Sequence, residues 1–217
     1  MFHYMVWNEA VVRSMFKDLD GSVKQITKNT LLVAELVEVL DLLLDDVDFI
    51  ESKISLGFGF PLEIHSRYTR EQILIAIGDQ TFERKSSNRE GVAYNKERNV
   101  EALFMTLKKS DKEYSPTTLY DDYAINESIF HSQSQNATSP ESTKGISYIR
   151  HIEQGKQILL FVREQNEDEY GFTMGYVFLG DASYISSTGS RPMNINWRLE
   201  TPMPAYLLNE STKLAVG

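Results

Sequence analysis

The chain has 217 residues, of which 41% are hydrophobic and 11% aromatic, enough apolar material for one sizeable core or one domain with an appendage. It contains no cysteine and only four scattered histidines, which excludes disulfides and Cys-ligated zinc and gives no reason to expect a metal site. The net charge of -9 argues against a general nucleic-acid binder, whose affinity comes mostly from Lys and Arg that neutralise phosphates.

A basic patch can still occur in the second part of the chain, and the alternative is that its basic residues only solubilise the surface. The candidates are Arg67, Arg70, Arg84, Lys85, Arg89, Lys108, Lys109 and Lys112. No apolar run approaches about 18 residues, and the first ten residues lack a basic and then apolar leader. The sequence therefore predicts no membrane span and no secretory signal, and we expect a cytoplasmic, reducing location.

The first 55 residues are predicted to be helical. Val11, Met15 and Leu19 recur at helical spacing, and the run from Leu31 to Ile50 carries an apolar stripe with acidic residues opposite. Such a stripe needs a partner, which could be the following domain, an upstream domain of a longer chain, or a second copy.

A domain boundary is predicted near residue 60, because Gly57 and Pro61 break the helical pattern. Thr69 and Gln72 then form a capping-box pattern at the start of a short helix, which Gly78 is expected to end. We therefore divide the chain into a helical connector, residues 1–60, and a second domain, residues 61–217.

The second domain is predicted to consist mainly of β-strands. The β-rich runs are 99–109, 156–164, 175–186 and 192–200, separated by turn residues. Ile158–Val162 is apolar on both faces and should lie at the centre of a sheet. The last run alternates, with Met193, Ile195, Trp197 and Leu199 on one face and polar residues on the other. The sequence thus predicts an α+β fold in which a small curved sheet or barrel carries helices at one end.

The motifs of common enzymes are absent. There is no P-loop, dinucleotide fingerprint, G-x-S-x-G elbow or zinc-deaminase signature. Asp121 and Asp122 could hold magnesium, but Glu127 and Lys144 are the only nearby residues that could complete a nuclease centre. We therefore predict no catalytic residue and no metal site.

The segment from Tyr114 to Ile125 is dense in groups that could bind a ligand. In an extended strand, Tyr120 and Asp122 share one face, which places an aromatic plane next to a carboxylate. The carboxylate could accept a hydrogen bond from an exocyclic amine such as cytosine N4. The ring could stack on the base, which is worth about 1–3 kcal/mol.

The following stretch, FHSQSQ, would place His131, Gln133 and Gln135 on one side of a strand and the intervening residues on the other. Either row could complete a pocket. The alternative is that the aromatic residues of both segments belong to the core and that their aspartate and histidine form a satisfied buried pair.

A family resemblance is carried by a series of segments in a fixed order along the chain. These segments are YTREQILIAIG, REGVAYN, FMTLKKSDKEYSPTTLYDDYAI, FHSQSQNATSPESTKGISYI, ILLFVRE, YVFLG, YISSTGSRPMNINWRL and PMP. The chain resembles the C-terminal domain of helicase-containing, modification-dependent (type IV) restriction enzymes of the SauUSI type, over about residues 61–205. Residues 1–60 also resemble the connector that follows the helicase module in those enzymes.

The resemblance implies a curved β-barrel of the SRA/PUA-like class that recognises 5-methylcytosine in double-stranded DNA. In related SRA domains the modified base is flipped out of the duplex, stacked between aromatic rings and held by an Asp on its Watson–Crick edge. The nuclease and the ATP-driven translocase would lie upstream in the parent enzyme. For this fragment we therefore expect no catalysis and no cofactor, with ATP and magnesium used only by the parent.

Site residues are assigned by chemical type, because the motifs do not align position by position with other SRA domains. The predicted base pocket consists of Tyr120, Asp122, Tyr123, His131, Gln133 and Gln135. The predicted DNA-backbone contacts are Ser115, Thr117, Thr118, Thr138, Ser139, Arg67, Lys108 and Lys112. Many relatives carry Trp where this sequence has Ser132, which weakens the case for the strand that contains it.

A second functional class remains open at this stage. The acidic helices and the barrel could dock onto the helicase or another partner without any contact with DNA, and the net charge favours this alternative.

Overall fold

The structure is a computed structural model that describes residues 1–7, 10, 15–45, 54–108 and 122–215. The helices are α1 (Phe2–Trp7), α2 (Leu19–Thr27), α3 (Thr30–Asp45), α4 (Arg70–Ala76), α5 (Thr143–Ile149) and α6 (Ala205–Ala215). The strands are β1 (Arg67–Tyr68), β2 (Val92–Asn95), β3 (Val100–Thr106), β4 (Tyr123–Asn126), β5 (Ile129–Gln133), β6 (Gln157–Arg163), β7 (Tyr176–Thr188) and β8 (Asn194–Leu199). Within the described ranges, no helix is both long enough and apolar enough to cross a membrane.

The N-terminal part is helical, but its helices do not follow the predicted spacing. Asp18 is the N-cap of α2, and its Oδ1 accepts a hydrogen bond from the Gly21 backbone N–H at 2.7 Å. Met15 therefore lies before the helix rather than within it. The predicted helix through Met15 and Leu19 was wrong because a capping aspartate begins a new helix at this point, and Val11 lies outside the described residues.

The apolar stripe is confirmed as part of a helix. Helix α3 packs against α2, yet Leu36, Leu40 and Leu43 remain 40%, 62% and 59% exposed. The described part of the chain thus leaves an apolar helix face open to solvent.

The predicted capping box of α4 is confirmed. The Thr69 hydroxyl accepts from the Gln72 backbone N–H at 3.3 Å, and the Gln72 side chain accepts from the Thr69 N–H at 2.8 Å. The helix ends before Gly78, whose φ of +83° lies in the left-handed region that favours glycine. The buried side of α4 packs on one face of the sheet.

The strands form one open sheet in the order β2-β3-β6-β7-β8-β5-β4, with β1 paired to β7. Strands β3 and β6 are parallel, in register from Val100 and Gln157 to Thr106 and Arg163. Their carboxyl ends therefore lie at the same edge of the sheet. The long strand β7 pairs with β6 on one side and β8 on the other, and register shifts in both pairings curve the sheet.

The predicted curved barrel is not closed by the described residues. Strands β2 and β4 are at the two ends of the strand order, and neither pairs with a further described strand on its outer edge. Each end strand is four residues long, so it offers few backbone groups for a further pairing. The observed fold is an α+β fold with an open, curved sheet and N-terminal helices.

Both faces of the central strands are buried, as the sequence predicted. In β6, Leu160 and Val162 pack into one hydrophobic cluster, while Leu159 and Phe161 pack into the cluster on the opposite face. The predicted alternation of β8 is also confirmed, because Trp197 is fully buried, as are its same-face neighbours. The first cluster lies between the sheet and helices α5 and α6, and its edge opens into the cavity described next.

Candidate functional site

A cavity of about 310 Å³ opens at the edge of the sheet where β3 and β6 end. Residues of β3, β5 and β8 line it, together with Tyr148 of α5 and Arg163 at the end of β6. The volume is at the lower end of the range for small-molecule sites, about 300–1,000 Å³. The cavity therefore suits one small ligand.

Four aromatic side chains line the cavity: Phe104, Tyr148, Tyr176 and Trp197. Tyr148 and Trp197 pack edge to face, with ring centroids 5.7 Å apart. The Trp197 indole N–H donates to the Ser132 hydroxyl at 2.9 Å, which fixes the ring. Ser132 of β5 thus holds a tryptophan of the neighbouring strand β8 in the lining of the cavity.

Polar groups that line the cavity come from Asp122 and from β5 and the residues that follow it. Asp122 is 8% exposed, and its Oδ1 accepts from the Gln133 backbone N–H at 3.1 Å. The Gln133 side chain donates to Asn194 Oδ1 at 2.9 Å. A carboxylate and a fixed amide therefore line the same cavity as the aromatic groups.

A buried ionic cluster around Glu101 holds the Tyr148 hydroxyl in place. Glu101 is fully buried on β3, and its carboxylate forms ion pairs with Lys144 and Lys156. The Tyr148 hydroxyl donates to Glu101 Oε1 at 3.0 Å and lies 3.3 Å from Gln135 Oε1. Burial, followed by the Glu101 charge, raises the pKa of Tyr148 well above its ordinary value, so the hydroxyl remains protonated and able to donate.

Three arginines also line the cavity: Arg70, Arg89 and Arg163. Arg163 is 7% exposed, its Nε donates to the Thr106 hydroxyl at 2.9 Å, and its guanidinium lies 4.6 Å from the centre of the Tyr176 ring. Arg70 lies over Phe104, 4.1 Å from the ring centre, and burial lowers its pKa. Two of the lining arginines therefore lie against lining aromatic rings.

The structure brings three of the predicted pocket residues together. Asp122, Gln133 and Gln135 all line the cavity. Tyr123 and His131 lie outside its lining and stack on each other, with ring centroids 4.7 Å apart and planes at 26°. His131 Nδ1 also lies 2.8 Å from Asn196 Oδ1. Tyr120 lies outside the described residues, so its role as a stacking residue stays a prediction.

The predicted backbone contacts are distributed around the molecule. Arg67 forms an ion pair with Glu164, and Lys108 Nζ lies 2.5 Å from Glu210 Oε2. The other two described residues are buried, Thr138 at 4% and Ser139 at 6% exposure. Ser115, Thr117, Thr118 and Lys112 lie outside the described residues, so their contacts with DNA stay predictions.

Sequence reasoning missed the aromatic and cationic residues of the cavity. One signal was present: Glu101 and Arg163 are charged residues inside or at the end of strands whose other residues are mainly apolar. Charged side chains are rarely buried unless a partner or a ligand compensates them. Trp197 gave no such signal, because its alternation pattern is that of an ordinary core residue.

Comparison with known proteins gives structural likenesses of low identity. Arabidopsis thaliana SUVH6, solved in complex with SAM, is 13% identical with a TM-score of 0.42, over 74% of this chain and 29% of the SUVH6 chain. AbaSI, described as a 5-hydroxymethylcytosine-specific restriction enzyme, is 13% identical with a TM-score of 0.41, over 87% of this chain and 57% of that chain. This chain thus spans less than two thirds of either protein. No curated protein matches it.

The family comparison covers most of the sheet and the cavity. The sequence model of DUF3427, described as a domain of unknown function, matches residues 62–210. That range holds every residue that lines the cavity, from Arg70 to Trp197. Because the match extends over more than half of the chain, the protein belongs to the DUF3427 family.

Proposed function

We propose that this protein reads 5-methylcytosine in double-stranded DNA by receiving a single flipped base in the cavity. The observation that carries the proposal is a cavity of about 310 Å³ that is lined both by aromatic rings and by the Asp122 carboxylate. Flipped bases are read in this way, by stacking on apolar or aromatic groups and by hydrogen bonds to the Watson–Crick edge.

The polar groups of the cavity match the donor groups of cytosine. Asp122 accepts the backbone N–H of Gln133, and an ionised carboxylate offers about four acceptor sites in all. The exocyclic amine of cytosine is a donor, whereas thymine has a carbonyl oxygen at the same position. A carboxylate at the base edge therefore favours cytosine over thymine.

The methyl group itself contributes little to affinity. Burying one methyl is worth about 0.8 kcal/mol, which corresponds to roughly a fourfold preference. A larger preference requires a cavity that closes on the base. The fixed Trp197 indole and the supported Tyr148 ring provide such rigid walls.

In the parent protein, this domain would be the target-recognition part of an ATP-dependent, modification-dependent restriction endonuclease. The proposal rests on the motif resemblance over residues 61–205 and assigns the nuclease and helicase to upstream parts of the same chain. The fragment itself would bind methylated duplex DNA without cleaving it. Helices α1–α3 would then connect the reader to the motor.

The test is fluorescence anisotropy with matched duplexes that differ only in one 5-methylcytosine. We expect the methylated duplex to bind more tightly than the unmethylated one. Asp122→Asn should lower the affinity for the methylated duplex by about tenfold or more, because a hydrogen bond to a charged group is worth about 1.5–3 kcal/mol. Glu153→Gln is the control, since Glu153 is exposed and lies outside the cavity. Equal binding of the two duplexes by the unchanged protein would refute the proposal, because phosphate contacts alone do not sense a methyl group.

A second candidate function has an observation of its own in helix α3. Its exposed face, represented by Leu36, Leu40 and Leu43, is typical of a surface that binds another protein. In that case the module docks onto the helicase or a partner without contacting DNA. Glu substitutions at Leu40 and Leu43 would then abolish assembly, while a protein that lacks all duplex binding would favour this function over the first.

A further inference from the structure

Arg163 carries a buried charge, and none of the ion pairs among the described residues involves it. It is 7% exposed, its Nε donates to the Thr106 hydroxyl, and its Nη1 lies 3.5 Å from the Met174 carbonyl oxygen. Buried cations are normally paired, so this side chain is prepared for an anion that enters the cavity it lines.

Arg70 is a second guanidinium on the same cavity with an unused donor. Its Nη2 donates to Asn88 Oδ1 at 2.6 Å and also bonds the Glu90 carbonyl oxygen. Its Nε is buried without a hydrogen-bond partner in the described part of the chain. The Phe104 ring beneath it orients the planar group without consuming its donors.

The cavity is positively charged although the chain is strongly acidic. Among the described residues, its lining includes Arg70, Arg89 and Arg163 but only Glu90 and Asp122 as acidic residues. The whole chain has 31 acidic and 22 basic side chains, so this balance is the reverse of that of the chain. The lining therefore carries one more basic than acidic side chain, which favours an anionic ligand.

We propose that the cavity contains a phosphate subsite, formed by Arg163 with Arg70, that holds the backbone phosphate of the nucleotide whose base enters the cavity. This inference rests on the proposed function for the identity of the ligand. Guanidinium groups bind phosphate oxygens in a forked geometry that a lysine does not reproduce. The two arginines flank the carboxyl end of the parallel β3–β6 pair, beside the aromatic rings that would contact the base.

The first experiment separates the subsite from duplex binding. Calorimetry at low salt compares 5-methyl-2′-deoxycytidine with its 5′-monophosphate, and inorganic phosphate serves as the probe of the anion alone. We expect the monophosphate to bind at least about tenfold more tightly than the nucleoside. Arg163→Gln should remove this difference, and Arg150→Gln, at an exposed position outside the cavity, should retain it. Equal binding of both compounds, or binding of neither, would overturn the subsite.

The second experiment uses the methylated and unmethylated duplexes over a range of salt. Arg163→Gln should weaken both duplexes by the same factor, about tenfold, and reduce the salt slope by about one, because one phosphate contact is lost. Arg163→Lys should keep the salt dependence of duplex binding, because the charge remains, but should still lower the affinity for the duplex. Arg70→Gln provides a second test if the Arg163 variants unfold at a lower temperature than the unchanged protein.

The two proposals fail in different ways. If the methylated duplex is preferred but Arg163→Gln behaves like Arg150→Gln, the phosphate subsite is wrong and the reader function stands. If the unchanged protein binds both duplexes equally while the monophosphate still binds more tightly than the nucleoside, the subsite stands and the reader function is wrong.

Discussion

Replacing Glu101 with glutamine tests whether the ionic cluster behind the cavity supports the fold. Glu101 is fully buried, and the Lys156 side chain that pairs with it is only 4% exposed. Lys144, the other cation, is 32% exposed and can turn towards solvent. Glu101→Gln therefore leaves one buried ammonium without an anion.

The expected cost follows from the groups that remain around Lys156. Its ammonium keeps the Ser147 hydroxyl at 2.9 Å and the rings of Tyr94 and Tyr148, whose centres lie 4.7 Å and 5.3 Å away. None of these neutralises a buried charge, and breaking a buried ion pair by removing one partner costs about 3–5 kcal/mol. Since domains of this kind unfold with about 5–15 kcal/mol, the variant should lose a large part of its stability.

Urea unfolding at pH 7, followed by tryptophan fluorescence, measures the loss by linear extrapolation. Adding Lys156→Met to Glu101→Gln should recover most of the lost free energy, because the second change removes the unpaired charge. Lys144→Met alone should cost about 1 kcal/mol or less, as for other partly exposed pairs. A loss below about 1 kcal/mol in Glu101→Gln, or additive losses in the double variant, would refute this reasoning.

Three further outcomes are expected from single changes. Ser132→Ala should lower the free energy of unfolding by about 1–3 kcal/mol, because the buried Trp197 N–H loses its acceptor; an unchanged urea midpoint would contradict this. Gly145→Ala should destabilise the protein although alanine favours helices, since its Cβ would lie 1.9 Å from the Ser139 carbonyl oxygen; a higher melting temperature would show that the helix moves freely. Burial lowers the pKa of His151, so the unfolded state binds its proton first, and stability should fall as the pH drops below about 6.5. His151→Gln should flatten this part of the stability curve, and parallel curves would exclude the histidine as the cause.

Local patterns in the sequence predicted the elements that depend on local interactions. The capping box at Thr69 predicted the start of α4, and the alternation around Trp197 predicted the buried face of β8. Both predictions held because each pattern depends on a few neighbouring residues. The alternation of FHSQSQ was also confirmed: Phe130 and Ser132 are buried, and His131 is only partly so. The prediction failed at residues 15–19, where a cap interrupts an apparent helical period.

The composition of the cavity was less accessible to sequence reasoning because it depends on long-range pairing. Tyr148 and Arg163 meet Asp122 only after β6 pairs in parallel with β3 and the sheet curves back towards β5. No spacing along the chain encodes that proximity. The sequence likewise did not predict that the sheet is open, because this depends on which strand edges pair with one another.

The parallel pairing of β3 with β6 has a consequence for transplanting this module into other proteins. A parallel pair needs a crossover, and here β4, β5 and α5 all lie between the two strands along the chain. The segment that supplies Asp122, Gln133 and Gln135 to the cavity thus lies between β3 and β6 along the chain. A graft that includes only β3 or only β6 would carry an incomplete cavity, so the whole range from β3 to β6 should be exchanged together.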